Sequence, residues 1–207
     1  MKNGKAEIKA VIFDLGNVLL NFDARKACRR FSEECGIPMT SAWRHFFISP
    51  VEKAYTRGEI TCRQFYEHSK EVLKLPVDFK TFKYYWNDIF WENDGMNELL
   101  AELKKEYPLY LISNTNRMHF EYIKSNFKIL RHFEKLFPSH EVGARKPDPV
   151  IYRRVLKKIG RFKPEETVFV DDKIQFVQGA RKVGMHAVRF RSKPQLIKDL
   201  RKLGVQI

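Results

Sequence analysis

The sequence lacks the features of a membrane-spanning or disulfide-rich protein. Its 207 residues include three cysteines (Cys28, Cys35 and Cys62), an odd number without paired spacing. This excludes a disulfide framework and favours a reducing compartment. No stretch approaches the roughly 20 apolar residues of a membrane span, and the opening "MKNGKAEIKA" has no apolar signal-peptide core. We therefore expect a cytoplasmic protein that does not associate with membranes.

The sequence also lacks a concentrated basic block, although its net charge is +14, from 39 basic and 25 acidic residues. In "RKACRR" and "RRVLKK", apolar residues interrupt the charges at helical spacing, which is typical of solvated helix faces. No helix-turn-helix, zinc-finger or RNA-binding signature accompanies them. A nucleic-acid partner is therefore not expected, whereas small anionic ligands suit the positive charge. The sequence does not indicate an oligomeric state.

The order of the predicted elements indicates an α/β fold with an insertion. Apolar residues make up 43% of the chain, enough for one folded domain, and "IKAVIF" at 8–13 is typical of a buried parallel strand. From about 24 to 92 the chain is helical and aromatic-rich, without a strand pattern; from 95 onward strands and helices alternate, which predicts βαβ crossovers. We predict a three-layer, Rossmann-like parallel sheet core from residues 1–21 and 93–207, and an inserted all-helical subdomain from residues 22–92.

Polar side chains lie at the predicted strand ends, where parallel sheets bind their ligands. Asp14 follows the first strand, Ser113 and Asn114 end a later one, and "TVFV" leads into Asp171 and Asp172. Clustered carboxylates repel one another unless a cation joins them, and Mg²⁺ prefers oxygen ligands. A lysine in "GARKPDP" adds a positive charge, so the set suits a phosphate group. A carboxylate placed there can also attack phosphorus and form an aspartyl-phosphate.

Four motifs in order, "VIFDLGN", "LISNT", "GARKPDP" and "FVDD", resemble those of the haloacid dehalogenase-like hydrolase superfamily. The helical insert lies where that family has its cap subdomain. The wording "FDLGNV", "SNTNRMH" and "RKPDPVIY" is similar to the subgroup that contains bacterial α-D-glucose-1-phosphate phosphatase. The resemblance implies a Mg²⁺-dependent phosphatase of a small phosphorylated metabolite, possibly a sugar phosphate.

The resemblance also implies a role for each motif residue. Asp14 would be the nucleophile and a Mg²⁺ ligand, together with the backbone carbonyl of Gly16, Asp172 and its neighbour Asp171. The remaining residues would bind the substrate: Ser113 and Asn114 would hold the phosphate, and Lys146 would neutralise the phosphate and the nucleophile.

The sequence departs from the family pattern at Gly16, where phosphatases of this superfamily usually carry an aspartate as general acid and base. Such help is worth about 10²- to 10⁴-fold in rate. Another group could replace it, and the candidates are Asp23, His45, Glu52, Glu59 and His119. Alternatively, the substrate has a leaving group that needs little protonation, or the protein is a weak enzyme or a non-enzymatic phospho-ligand-binding relative.

A second departure follows Asp172. In "DDKIQFVQG", Lys173 follows directly, and Gln175 and Phe176 stand where an acid or amide is usual. This removes support from the metal site, which can matter about 10- to 100-fold, and favours the non-enzymatic alternative. A metal-independent 2-haloacid dehalogenase is a further alternative, since that branch also lacks the second aspartate. Without a metal, however, the paired carboxylates of Asp171 and Asp172 would repel each other and have no function. Specificity is expected to come from the insert, whose aromatic residues we expect to lie mostly in its core: Trp43, Phe46, Phe47, Tyr55, Tyr84, Tyr85 and Trp86.

Overall fold

The computed structural model describes residues 6–207, which form seven strands and eleven α-helices. The strands are β1 (Ala10–Phe13), β2 (Leu20–Phe22), β3 (Phe90–Glu92), β4 (Leu109–Ser113), β5 (Lys135–Pro138), β6 (Thr167–Asp171) and β7 (His186–Arg189). The helices are α1 (Ala24–Cys35), α2 (Met39–Phe47), α3 (Pro50–Thr56), α4 (Cys62–Leu73), α5 (Phe79–Asn87), α6 (Met96–Leu103), α7 (Arg117–Asn126), α8 (Ser139–Val142), α9 (Pro149–Ile159), α10 (Ile174–Arg181) and α11 (Lys193–Lys202). No helix in this range combines the length and apolar character needed to cross a membrane.

Five strands form one parallel sheet in the order β5-β4-β1-β6-β7. The side chains of β1 alternate between the two faces, since Val11 and Phe13 join one apolar core and Ala10 and Ile12 the other. Helices α6, α7 and α11 cover the first face, whereas α8, α9 and α10 cover the second. The predicted three-layer α/β core is confirmed.

Helices α1–α5 lie between β2 and β3 and have an apolar core of their own. Phe31, Phe46, Phe65 and Phe82 are fully buried in it, and Trp86 is 1% exposed. We call α1–α5 together with β2 and β3 the cap. Two aromatic residues expected in this core lie outside it, since the exposed fractions of Trp43 and Tyr84 are 39% and 61%.

The two connections between sheet and helices form an antiparallel ribbon. β2 pairs with β3, with Leu20 opposite Glu92 and Phe22 opposite Phe90. The prediction that no strand interrupts residues 24–92 was wrong at β3, because α5 ends at Asn87 and residues Phe90–Glu92 form a strand. A three-residue strand is too short to show a two-residue alternation, and its pairing partner lies far away in the chain. The division into residues 1–21, 22–92 and 93–207 stays a prediction.

Several helix ends follow from local sequence signals. Asp23 caps α1, which ends at Gly36 in a left-handed conformation. Thr61 and Gln64 form a capping box at the start of α4. These local signals fix where α1 and α4 begin and where α1 ends.

Candidate active site

Three strand ends bring their polar groups to one edge of the sheet. Phe13 pairs with Leu111 on one side and Val170 on the other, so β1, β4 and β6 end together. Asp14, Asp171 and Asp172 each direct a carboxylate oxygen to within 4.8 Å of the others. The structure therefore brings together the carboxylates that the sequence placed at strand ends.

Lys146 lies between two of these carboxylates. Its Nζ is 2.7 Å from Oδ1 of Asp14 and 2.6 Å from Oδ2 of Asp171, and its side chain is fully buried. Burial alone would lower the pKa of Lys146, but the two carboxylates outweigh it and raise the pKa. The rings of Phe169 and Phe176 lie 5.2 and 5.0 Å from Nζ and add cation–π attraction. Lys146 is therefore held as an ammonium against the nucleophile candidate.

The carboxylates still outnumber this one buried ammonium. Burial raises the pKa of Asp14 to about 7; Lys146 opposes the rise, and Asp171 adds to it. Burial also raises the pKa of Asp172, whose Oδ1 is buried without any hydrogen-bond partner in residues 6–207. An orphaned buried carboxylate oxygen beside two further carboxylates fits a divalent cation with oxygen ligands.

Asp171 differs from Asp172 because both of its oxygens are engaged. Oδ2 accepts from Lys146, and Oδ1 accepts from the backbone N–H of Lys173 at 2.8 Å. Among residues 6–207 the side chain of Asp172 has one hydrogen-bond partner, Asn17, whose Nδ2 lies 3.4 Å from Oδ2. Asp172 is therefore the better placed of the two to bind a metal, and Asp171 is placed to orient Lys146.

Ser113 and Asn114 lie beside Asp14 at the end of β4, and both line the same cavity. The side chain of Asn114 does not face that cavity freely. Its Nδ2 donates to the carbonyl of Lys146, and its Oδ1 accepts from the N–H of Lys146, both at 2.8 Å. Asn114 thus fixes the loop that carries Lys146, and a phosphate-binding role would rest on its backbone N–H.

Gly16 lines the cavity two residues after Asp14. Its φ lies outside the left-handed range, so the turn itself does not require glycine. A Cβ at this position would lie 2.9 Å from Cε1 and 3.3 Å from Cδ1 of Phe22. The Phe22 ring therefore occupies the space into which an aspartate side chain would extend.

Three of the five acid–base candidates lie away from the cavity. Asp23 caps α1, His45 bonds to a serine hydroxyl inside the cap, and Glu59 pairs with an arginine at the surface. None of the three lines the cavity that contains Asp14.

His119 lines this cavity, but both of its ring nitrogens are engaged. Nδ1 lies 3.0 Å from Nδ2 of Asn116, and Nε2 lies 3.0 Å from the carbonyl of Trp86. These partners require a neutral ring with its proton on Nε2. Burial lowers the pKa of His119 to about 4, so the ring holds the cap against α7 and is not free to exchange protons.

Glu52 is the remaining candidate, and it reaches the cavity from α3. Its Oε2 accepts from Nη1 of Arg145 at 3.1 Å, a pair that links cap and core. Burial raises the pKa of Glu52, while Arg145 opposes the rise.

The cap docks on the core through buried hydrogen bonds that the motifs did not reveal. Ser139 donates through Oγ to the carbonyl of Thr56 at 2.6 Å and accepts from the N–H of Thr115 at 3.0 Å. The Tyr55 hydroxyl accepts from the N–H of Met118 at 3.2 Å. No short sequence signal marks these residues, since each bond joins positions that are distant in the chain.

The second departure from the family motif has a structural counterpart. Phe176 packs against Lys146 and lines the cavity, and the Nζ of Lys173 lies 5.4 Å from its ring. An apolar ring thus stands where an acid or amide is usual. It supports the ammonium of Lys146 through its face and offers no hydrogen bond to a metal ligand.

Comparisons with known proteins agree with this architecture. A family model for haloacid dehalogenase-like hydrolase matches residues 8–184. The chain is 26% identical over 172 residues to the D-ribitol-5-phosphate phosphatase of Bacteroides thetaiotaomicron, an alignment that covers 80% of this chain and 83% of that protein. It is 29% identical over 199 residues to the sesquiterpene phosphatase astK of Aspergillus oryzae, covering 94% and 96% of the two chains. Another curated relative matches 93% of this chain but is much longer, and the chain spans 36% of it.

A solved structure of a family member has the same fold. An enzyme of the family from Bacteroides thetaiotaomicron, crystallised in complex with magnesium and inorganic phosphate, superposes with a TM-score of 0.81 at 27% identity. The match covers 90% of this chain and 96% of that one.

Proposed function

Because the chain belongs to the haloacid dehalogenase-like hydrolases, we propose that it is a Mg²⁺-dependent phosphatase of a small phosphorylated metabolite. The observation that carries the proposal is the buried Lys146 between Asp14 and Asp171, near the Oδ1 of Asp172, which has no hydrogen-bond partner in residues 6–207. This set brings a candidate nucleophile, an ammonium and a carboxylate oxygen suited to a metal to one edge of the sheet. The phosphatases among its relatives, and the magnesium and phosphate bound by the Bacteroides neighbour, support the same chemistry.

In the proposed reaction an oxygen of Asp14 attacks phosphorus. The bond between phosphorus and the alcohol oxygen breaks, and an aspartyl-phosphate forms. Water then attacks that phosphorus, which releases inorganic phosphate and restores the carboxylate. Lys146 stabilises negative charge on the transferring group from a fixed position, without the cost of reorganising solvent.

Asp14, Asp172 and the carbonyl of Gly16 are the groups we propose to hold Mg²⁺, with Asp171 orienting Lys146 beside them. The ion would offset the charge on the phosphoryl oxygens and on the clustered carboxylates. Ser113 and the backbone N–H of Asn114 are proposed to hold a phosphate oxygen.

In this proposal Glu52 is the general acid that protonates the leaving alcohol. Of the two candidates that line the cavity, His119 is engaged at both ring nitrogens, whereas Glu52 pairs with Arg145 through Oε2. Glu52 belongs to α3 of the cap and Asp14 follows β1 of the core, and both line the cavity.

Hydrolysis of p-nitrophenyl phosphate tests the proposal. We expect turnover with Mg²⁺, none after chelation, and a loss of at least 10³-fold in Asp14→Asn, whose amide is a far weaker nucleophile than a carboxylate. Asp23→Asn is the matched control because Asp23 caps a helix outside the cavity. Turnover that persists in Asp14→Asn, or without a divalent cation, would refute the proposal.

A non-catalytic phospho-ligand-binding role is the second candidate, favoured by Phe176 in place of a polar residue behind the metal site. It predicts calorimetric binding of inorganic phosphate with Mg²⁺ and no turnover of any ester. A metal-independent dehalogenase is disfavoured by Oδ1 of Asp172, a buried oxygen without a hydrogen-bond partner in the described part of the chain. Chloride release from chloroacetate without Mg²⁺ would reverse that conclusion.

A further inference from the structure

The cavity above Asp14 has two unlike halves. It encloses about 160 Å³ and has the polar strand ends on one side. The lining contributed by the cap and by the link between α5 and β3 is almost entirely apolar, and its apolar side chains are Leu20, Phe22, Phe46, Phe47, Trp86, Ile89 and Phe90. The half that would surround the organic part of a phosphate ester is therefore apolar.

The few polar groups on the cap side of this cavity are already bonded within the protein. Within the described residues the cap contributes two polar side chains to the lining, Glu52 and Thr56. The Thr56 hydroxyl donates to the carbonyl of Glu52 at 2.9 Å, and Glu52 pairs with Arg145. Neither side chain is free of a partner in the way that recognition of several substrate hydroxyls would require.

Two core residues that line the cavity, Asn116 and His119, are engaged with each other. Asn116 accepts through Oδ1 from the N–H of His119 and donates through Nδ2 to its Nδ1, both at 3.0 Å. Its Oδ1 also lies 3.5 Å from Nε1 of Trp86. This network closes on itself, and its side-chain donors are directed at the protein.

From these observations we propose that the substrate is a phosphate monoester of an apolar alcohol, with the hydrocarbon part held by the cap and the phosphate at the strand ends. The inference rests on the proposed function and narrows its substrate class. It departs from the sugar phosphate considered from the sequence.

The energetics favour a hydrocarbon over a polyol. Each methylene buried on the cap side should tighten binding about fourfold, equivalent to about 0.8 kcal/mol. A hydroxyl buried without a partner loses its hydrogen bonds to water, so an apolar pocket discriminates against it, by about 10²-fold in a measured case. The cap side also keeps apolar surface accessible, because Phe22, Phe47 and Phe90 are only partly buried. A closed cap core would bury these rings fully.

Phosphonates, which cannot be hydrolysed at carbon, test binding apart from turnover. Calorimetry with Mg²⁺ would compare methyl-, propyl- and hexylphosphonate. We expect affinity to rise about fourfold per methylene until the cavity is filled. Phe47→Ser should remove most of the gain from methyl to hexyl, while Phe47→Leu should keep it. Tyr84→Ser, at an exposed aromatic outside this cavity, is the matched control.

Turnover supplies the second arm. Cyclohexylmethyl phosphate and glucose 6-phosphate share a six-membered ring and a primary phosphate ester, and differ mainly in hydroxylation. We expect kcat/KM to be at least 10²-fold higher for cyclohexylmethyl phosphate. Phe22 lines the cavity from the ribbon. A second variant, Phe22→Ser, should lower the ratio of the two kcat/KM values.

The outcomes separate the inference from the proposed function. Equal phosphonate affinities, no phosphonate binding, or equal turnover of the two ring esters would overturn the apolar substrate class. Turnover of glucose 6-phosphate that depends on Asp14 would at the same time support the phosphatase. A steep phosphonate gradient without turnover of any ester would support the apolar site and refute the phosphatase.

Discussion

Replacing Gly16 by aspartate introduces the carboxylate that the superfamily pattern described in the sequence analysis leads us to expect at this position. In this structure the substitution meets an obstacle, since the new Cβ would lie 2.9 Å from Cε1 of Phe22. The Phe22 ring is not free to rotate away at no cost. It lies on the ribbon directly opposite Phe90, and the two ring centroids are 6.1 Å apart. We therefore expect Gly16→Asp to produce a less stable and less active protein.

The expected cost has a steric and an electrostatic part. Ordinary contact begins at 3.4 Å, so the ring must shift by about 0.5 Å, and overpacking of this kind costs about 1–3 kcal/mol. A new carboxylate on the order of 6 Å from Asp14 adds repulsion of about 3 kcal/mol at an effective dielectric constant of about 20. The repulsion is an upper value because the added group can take up a proton.

Two matched variants separate these parts. Gly16→Ala carries the Cβ contact alone, and Gly16→Asn adds the shape of aspartate without its charge. Urea unfolding with and without Mg²⁺ should show a loss of about 1–3 kcal/mol in Gly16→Ala and Gly16→Asn that Mg²⁺ does not restore. Gly16→Asp should lose more in the absence of Mg²⁺, and the ion should restore only the excess. Combining each variant with Phe22→Leu should recover most of the steric loss, which a double-mutant cycle would record as coupling.

The activity of Gly16→Asp is the strongest test of the inference that Phe22 occupies the space of an aspartate at position 16. If this single variant were as stable as the wild type and hydrolysed an alkyl phosphate at least tenfold faster, Phe22 would not occupy the space of the missing acid. The same conclusion would follow if Phe22→Leu failed to recover any stability.

Three further predictions concern the cap and its contacts with the core. Glu52→Gln should lower kcat/KM for an alkyl phosphate by about 10²-fold or more but change p-nitrophenyl phosphate turnover less than threefold, because p-nitrophenolate leaves without a proton; equal losses for both esters would contradict proton transfer. Gly58→Ala should destabilise the protein in urea at least twice as much as Gly36→Ala. Both glycines have positive φ (+76° and +68°), but a Cβ at Gly58 would collide with the carbonyl oxygen of His140, whereas a Cβ at Gly36 would meet no atom within 4 Å. The pKa of His119 is lowered to about 4 by burial, so the unfolded chain binds more protons than the folded one below pH 6.5. The stability from this group is thus present above pH 6.5 and lost between pH 6.5 and 4, by up to about 3 kcal/mol. Urea titrations at pH 7 and 5 should show a smaller difference in His119→Gln.

The sequence was informative where the chemistry is local. Asp14, Ser113 and Asp171 were predictable because a buried apolar run ends directly at a polar residue, and parallel strands bring such ends together. Lys146 needed its motif, since nothing in the composition of the loop indicates that its side chain is buried between two carboxylates.

The sequence was silent where the structure depends on contacts between distant segments. Pairing of β2 with β3 joins residues about 70 positions apart, and neither three-residue strand carries a pattern of its own. The closed network of Asn116, His119 and Trp86 is equally invisible. From the sequence His119 is therefore an acid–base candidate, and only its two ring partners in the structure exclude that role.

The glycine at position 16 illustrates how a sequence feature is explained by contacts in the folded structure. From the sequence alone, position 16 lacks the expected aspartate, and the sequence does not show which side chain occupies the space of that aspartate. The ribbon explains the substitution, because it brings Phe22 from six positions further along the chain onto the face where an aspartate side chain would lie. The same ring is part of the apolar cap side of the cavity. The loss of the acid and the gain of an apolar surface are therefore one structural change, and a substrate that suits this site has to satisfy both: little need for a proton from position 16, and a hydrocarbon surface to place against Phe22.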